Sequence, residues 1–461
     1  MPNSGHSFTD LIEIARSELP ENYQQHLNPH FEKFLEVTGF DRTYVRGRGA
    51  MLYDEDGHEY IDCVAGHAVQ SLGRSHPDVV AALQSALASD HPGWVQFECN
   101  PLSALLGKRL IARVPGDLQY VLFNNSGTEA VECALKLSRR FTGRDAVLHC
   151  DKGFHGLTLG ALAANGNPNL RDGFGTLGDS QSIPINDLPA LEHALGTRKF
   201  AAFIVEPVQG KTCIKVDDGY LQEATRLCKL HGTLLIVDEI QTGIGRTGTF
   251  VALEHDPGCE PDIVVLSKAL SGGFVPIGAV LVRGDVWRCT FDSMARSFIH
   301  TSTFQGGTLA MVAALTVLEV YDREQLGERA LRMGEIIRKG CEEIASRHPA
   351  LASVRGRGLM LGLELRRGAT ERAISNLPGI GSFEKLLFGQ SFAMELLATH
   401  RILSQVSDSQ SNLLKLTPPI VISPAECFRV VSSLSETFSR LSGPSAPFIT
   451  GIKRVALNLV R

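Results

Sequence analysis

Positive charge is not in excess in this sequence: 45 Lys and Arg stand against 50 Asp and Glu, a formal net charge of −5. No basic cluster interleaved with aromatics occurs either, so nucleic acid is not an expected partner. No apolar stretch reaches the ~18 residues that a membrane-spanning helix needs, so no membrane is expected. The stretch MPNSGHSFTDLIEIARSELP lacks a basic segment followed by an apolar one, and secretion is not expected. The ten cysteines are scattered, and none falls in a CxxC pair. That disfavours a zinc ribbon or thioredoxin-like site; the expectation is no metal, and reduced, mostly buried thiols in a cytoplasmic protein. Internal repeats and low-complexity tracts are also missing. What is present is ordinary for a globular chain: 461 residues, 43% hydrophobic and 21% charged, enough for two or three domains.

Short apolar runs without alternation read as buried parallel strands: YVLF (120–123), FAAFIV (200–205), TLLIV (233–237), DIVVL (262–266) and IGAVLV (277–282). Helical patterns lie between them. Ala130, Cys133, Ala134 and Leu137 fall on one helix face, and DGYLQEATRLCKLHG (218–232) stops at Gly232, a C-cap signal. The expected fold is α/β, a mainly parallel sheet flanked by helices over residues 85–325. Residues 44–62 read as a hairpin turning at Asp56-Gly57, and RGRGLMLGLEL as an alternating strand after a helix. Segments 1–84 and 326–461 are therefore expected to form a smaller α+β domain from both chain ends. Residues 366–382 read as a loop.

Three of those runs end in ionisable groups. FAAFIV delivers Glu206, TLLIV delivers Asp238 and Glu239, and DIVVL delivers Lys268 just ahead of a Gly pair. If the three strands are parallel neighbours, these groups meet at the carboxyl edge of one sheet, where open α/β sheets bind ligands. A charge leaving a buried strand is costly unless it is paired or used. In FNNSGTEA, Ser126, Gly127 and Thr128 sit where a strand turns into a helix, a ready site for a phosphate. The same residues also read as an ordinary N-cap, with Ser126 capping and Glu129 at N3. KGFHG offers Phe154 and His155, rings that could stack on a planar ligand or simply pack. GIGRTG (243–248) matches the dinucleotide-binding GxGxxG literally, but TFVALEHDPGCEPD after it has no helical period and two prolines. A nicotinamide site is not expected.

A phosphate anchor, a stacking ring, a strand-end carboxylate and a strand-end lysine are together what pyridoxal 5'-phosphate requires. The chain resembles the class III, fold-type I pyridoxal phosphate-dependent aminotransferases, and is similar to their putrescine, ornithine and acetylornithine branch. The resemblance is carried, in the family's order, by NNSGTEAVECALKLSR (124–139), FHGLTLGAL (154–162), VEPVQG (205–210), IVDEIQTGIGRTGTFVALEH (236–255), PDIVVLSKALSGGFVPIGAV (261–280), HTSTFQGG (300–307) and VRGRGLMLGLEL (354–365). It implies a Schiff-base role for Lys268, a pairing of Asp238 with the pyridine nitrogen, and a contact of Gln241 with the ring hydroxyl. It further implies phosphate contacts from Ser126, Gly127 and Thr128, stacking by Phe154 or His155, and a place for Glu206 on the substrate side. Thr303 matches a threonine that reaches the phosphate from the neighbouring subunit, which implies a homodimer with a shared active site.

The departures from the family pattern fall at substrate positions. Lys415, in LLKLTPPIVIS, stands where relatives carry a carboxylate-clamping arginine; Leu157 replaces a second cation, and Lys211 replaces a glutamate. Gly73-Arg74-Ser75 replaces the start of the usual GHxHP. Two substrate readings are open: an amine or aldehyde with a long or apolar chain, or glutamate as donor with Lys415 (or Lys211 or Arg74) as the clamp. The expected activity is transfer of a primary, terminal amino group between an amine or amino acid and an aldehyde or keto acid. A pyridoxal phosphate decarboxylase, racemase or aminomutase is the alternative, since the same lysine and aspartate serve all of them. A non-catalytic binding protein would be expected to lack Lys268 or Asp238.

Overall fold

The computed structural model describes residues 7–175, 178–367, 381–441 and 446–458. The loop expected at 366–382 lies almost wholly outside them. Among the described residues, fifteen strands build three sheets. In chain order they are Tyr44–Arg48 (β1), Met51–Asp54 (β2), Glu59–Asp62 (β3), Leu118–Asn124 (β4), Ala146–Cys150 (β5), Ser180–Ile183 (β6), Phe200–Val205 (β7), Leu234–Asp238 (β8), Ile263–Leu266 (β9), Gly278–Arg283 (β10), Leu351–Arg357 (β11), Met360–Leu365 (β12), Ile402–Leu403 (β13), Gln405–Val406 (β14) and Leu413–Leu416 (β15).

The large sheet runs β4-β10-β9-β8-β7-β5-β6. β7, β8 and β9 are adjacent and parallel, in the register Val205↔Val237 and Asp238↔Val265. Within the mainly parallel sheet expected, one run read as a parallel strand is reversed: β10 pairs antiparallel with both β9 and β4. An apolar run records burial on both faces, not direction, so 277–282 carries no mark of its reversal. Both faces of the sheet are covered. Leu234 and Ile236 pack with Ala130, Ala134 and Leu137 of the helix Gly127–Thr142, while Leu235 and Val237 join the core under the helix Tyr220–His231. Strand alternation thus puts Ile204, Ile236 and Val265 on one face. Glu206 and Asp238, two residues beyond the first two, leave the sheet on that side.

The smaller sheets draw on both ends of the chain. β1-β2-β3 is a three-stranded meander rather than the single hairpin expected for 44–62, and β13 joins β3 in parallel. RGRGLMLGLEL is likewise two strands, β11 and β12, because Gly358 turns left-handed (φ 57°) between them. The boundary expected at residue 84 falls inside the helix Pro77–Ala88. The GIGRTG segment is a turn followed only by the single 3-10 turn Ala252–His255, not by an α-helix. Its Arg246 is fully buried and reaches the carbonyls of Leu359 (3.1 Å) and Pro418 and the Ser71 hydroxyl (2.9 Å). Instead of cradling phosphates, this turn ties the large sheet to the smaller ones. Among the described residues no helix is long and apolar enough to cross a membrane.

Candidate active site

Lys268 lies two residues beyond β9 with φ of 42°, a left-handed backbone that a non-glycine residue adopts only at a cost. The turn Lys268–Ser271 is held by the Ser267 hydroxyl on the Ile277 carbonyl at 2.6 Å. The lysine opens into a cavity of about 740 Å³ at the carboxyl edge of the large sheet, with Asp238, Glu206, His155, Phe154, Gly127, Thr128, Gln241, Lys211 and Lys415 among its other walls. Ten of the residues singled out from the sequence are therefore brought to one cavity; Ser126, Leu157, Thr303, Glu239 and Arg74 are not.

The acids differ in what holds them. Asp238 is buried; one carboxylate oxygen accepts the Ile240 N–H at 3.0 Å and the other lies 2.7 Å from Nδ1 of His155. Burial works against a charged imidazole at His155, but the Asp238 carboxylate outweighs it and lifts the pKa above its usual value. His155 is thus a partner of Asp238, so of the two rings Phe154 is the one not tied to that carboxylate. Glu206 accepts the N–H groups of Phe154 (3.0 Å) and Gly210 (2.7 Å), and burial still raises its pKa. Glu239 turns away from the cavity. It accepts the N–H groups of Ala252 (2.9 Å) and Leu253 (2.7 Å) and the Thr242 hydroxyl, and burial lifts it to about 7. Burial pushes the Lys268 amine down to about 8, against the pull of Asp238 and Glu206. An amine in that range can lose its proton near neutrality.

The helix Gly127–Thr142 points its N-terminus at the same edge. Ser126 is consumed as its cap, accepting the Glu129 N–H at 3.2 Å, so both readings of this segment meet: Ser126 shapes the turn, and Gly127 and Thr128 face the cavity. A Cβ on Gly127 would come within 2.9 Å of the Ile240 side chain, which would have to shift to admit it. Gln241 lines the wall with its amide nitrogen on the His67 carbonyl at 3.0 Å. Lys211 pairs with Asp408 at 2.6 Å and lies 4.3 Å from the Phe154 ring centre. Lys415 is buried, its ammonium bonded to the Gly210 carbonyl; among the described residues it has no ion-pair partner, and burial lowers its pKa. Leu157 is exposed and away from the cavity, and Arg74 is spent on Asp62 at 2.7 Å.

Thr303 lines a second cavity, of about 1100 Å³, with Trp94, Phe97 and Phe298. Its neighbour Ser302 accepts the Asn125 amide at 2.6 Å. The sequence reading missed several walls of the first cavity: His67, Phe31 and Phe34, Gln390, and the 405–411 segment. The Asn28-Pro29 pair ahead of Phe31 and Phe34 was a legible helix start, with Asn28 accepting the Phe31 N–H at 3.1 Å. Nothing local marks His67, whose φ of 59° comes from a left-handed turn over Ala65–Ala68.

A helix start offering N–H groups to an anion, a buried carboxylate, a near-neutral amine and an aromatic ring fit the phosphate, ring nitrogen, aldehyde and ring face of pyridoxal phosphate. Comparison with known proteins agrees. The family model described as "Aminotransferase class-III" matches residues 36–438. The aminotransferase PigE of Serratia sp. is 34% identical over 96% of this chain, which spans only 56% of that protein's length. The putrescine aminotransferase of Pectobacterium atrosepticum is 34% identical over 94% of this chain and 91% of its own. Ornithine aminotransferase from Toxoplasma gondii superposes with a TM-score of 0.77 at 30% identity, over 95% of this chain and 96% of its own. A pyridoxal phosphate-bound amine transaminase from an uncultivated Pseudomonas species does so with 0.77 at 26%, over 87% and 95%. The chain belongs to the class III aminotransferases, a fold-type I family dependent on pyridoxal phosphate.

Proposed function

We propose that the chain moves a primary amino group between an amine or amino acid and an aldehyde or keto acid, with Lys268 and Asp238 holding opposite ends of the cofactor. The observation that carries this is the exit of both residues from adjacent parallel strands, β9 and β8, into one cavity. When bound, pyridoxal phosphate supplies an aldehyde carbon that takes up the amino group and a ring that accepts electrons as the substrate C–H bond breaks. Lys268 Nζ would hold the cofactor at that aldehyde end, and its amine, lowered to about 8 by burial, would take up and return the substrate's proton. Asp238 holds a proton on the ring nitrogen, and the His155 Nδ1 contact fixes which way its carboxylate faces. The N–H groups of Gly127 and Thr128 would take the phosphate, Phe154 would cover the ring face, Gln241 would meet the ring hydroxyl, and Glu206 would border the substrate.

Amino donor added to the holoenzyme without acceptor should stall after one amino group per site, read from the cofactor's absorbance. Continued turnover would instead indicate a decarboxylase or racemase.

Lys415 receives the carboxylate of the amino or keto acid partner in this reading. An ammonium buried against a lone carbonyl is poorly compensated until an anion arrives. Lys415→Ala should raise KM for the keto acid about tenfold to a hundredfold, the loss expected for a hydrogen bond to a charged group, with a smaller effect on KM for the amine. An unchanged KM for every keto acid tested would remove Lys415 from this role.

We further propose a homodimer. Thr303 faces the second cavity beside the exposed rings of Phe97 and Phe298, a surface suited to a second copy, which would bring Thr303 to the partner's phosphate. All ten cysteines are free thiols, which supports a reducing, cytoplasmic location.

A further inference from the structure

We infer that Phe31 and Phe34 form a wall that selects an amine or aldehyde with an unbranched apolar chain and disfavours diamines; the inference rests on the amino-transfer reading. Asn28 caps and Pro29 opens the helix Pro29–Thr38, and the three-residue spacing puts both rings on one face. Both line the Lys268 cavity, where they remain 47% and 41% exposed, so their apolar surface is free to cover a substrate chain. Val406 adds to the same lining, whereas the remaining apolar residues, Phe154 and Ile240, flank the cofactor-binding groups.

The wall is braced from behind. The helix Ala446–Asn458 packs on Pro29–Thr38, and its Arg454 pairs with the buried Glu395 at 2.8 Å. Arg440 meets the same carboxylate at 3.0 Å, and the helix carrying Glu395 also brings Gln390 to the cavity. Phe31, Phe34 and the bracing helix all lie outside the 36–438 segment matched by the family model.

Charge points the same way. A diamine presents a distal ammonium that needs a carboxylate, and the cavity's acids are engaged: Asp408 with Lys211, Glu206 with two backbone N–H groups, Asp238 with His155. Lys415, with no ion-pair partner among the described residues, adds positive charge. An ammonium entering there would be desolvated without compensation.

The test is a single-turnover series on holoenzyme from propylamine to octylamine, with putrescine and hexamethylenediamine alongside, followed by the cofactor's absorbance. kcat/KM should rise about two- to fourfold per methylene as apolar surface is buried. Hexamethylenediamine should fall at least about tenfold below hexylamine. In Phe31→Ser/Phe34→Ser the methylene slope should flatten and KM for hexylamine should rise about tenfold. Calorimetric binding of hexanol, which cannot react, should be lost in that variant. Phe34→Leu, which keeps an apolar helix face, should give an intermediate slope even if the double variant fails to fold. A flat slope in the wild type, diamines preferred over alkylamines, or an unchanged slope in both variants would overturn the inference. If no amine alters the spectrum, amino transfer itself falls, and hexanol binding alone then decides whether the wall exists.

Discussion

Lys268→Ala is expected to lower turnover at least about ten-thousandfold, since both the covalent anchor and the proton carrier are lost together. The fold should survive. Lys268 closes no hydrophobic cluster, and its amine sits in a cavity where burial penalises the charged form. Removing a desolvated ammonium costs the folded state little, so the thermal midpoint should hold or rise slightly while the yellow colour of the lysine-bound cofactor disappears. Lys268→Arg should fail equally, because a guanidinium does not release its proton in the accessible pH range. The same amine sets a pH dependence. Its pKa is lowered to about 8, so below that pH the ammonium dominates and cannot attack an aldehyde. Uptake of pyridoxal phosphate by the apoenzyme should accelerate as pH rises through about 8 and then level off. Turnover retained in Lys268→Ala would assign the chemistry to another residue.

Asp238→Asn is expected to slow the single-turnover rate about a hundred- to a thousandfold, with a much smaller change in KM. An amide has the shape of the carboxylate but not its charge, so a ring nitrogen facing it is no longer held protonated and accepts electrons poorly. The substitution also leaves His155 Nδ1 against a neutral partner in place of the carboxylate at 2.7 Å. That carboxylate is what raises the imidazole pKa against burial, so His155 should titrate lower in the variant. Histidine NMR signals followed across pH report this directly. A near-normal rate would mean that the ring nitrogen finds its proton elsewhere.

Much of this site was legible because strands buried on both faces announce themselves, and a charged residue at the exit of such a strand demands a partner or a use. FAAFIV, TLLIV and DIVVL are β7, β8 and β9 to within a residue, and Glu206, Asp238 and Lys268 are where their ends put them. Strand order and direction were not legible. β5 escaped notice because His149, itself fully buried, interrupts its apolar run; β6 is an edge strand reading Ser-Gln-Ser-Ile. Between Asp238 and Glu239 the strand-end pattern alone left the choice open, and only the resemblance picked Asp238, the one that lines the cavity. Alternation decides it, by sending consecutive side chains to opposite sides. The same holds for Phe154 and His155, where the hydrogen bond to Asp238 claims one ring of the pair. Phe31 and Phe34 lie far along the chain from the exits of β7, β8 and β9; the helix that carries them packs on Ala446–Asn458 and lines the Lys268 cavity.

Reductive trapping tests most directly whether Lys268 and Asp238 face each other across one cofactor. Borohydride treatment of the holoenzyme, with peptide mass spectrometry as the readout, should place a single pyridoxyl group on Lys268, and Asp238→Asn should carry it at the same position. A label on Lys415 or Lys211, the other two lysines lining the cavity, would contradict the assignment.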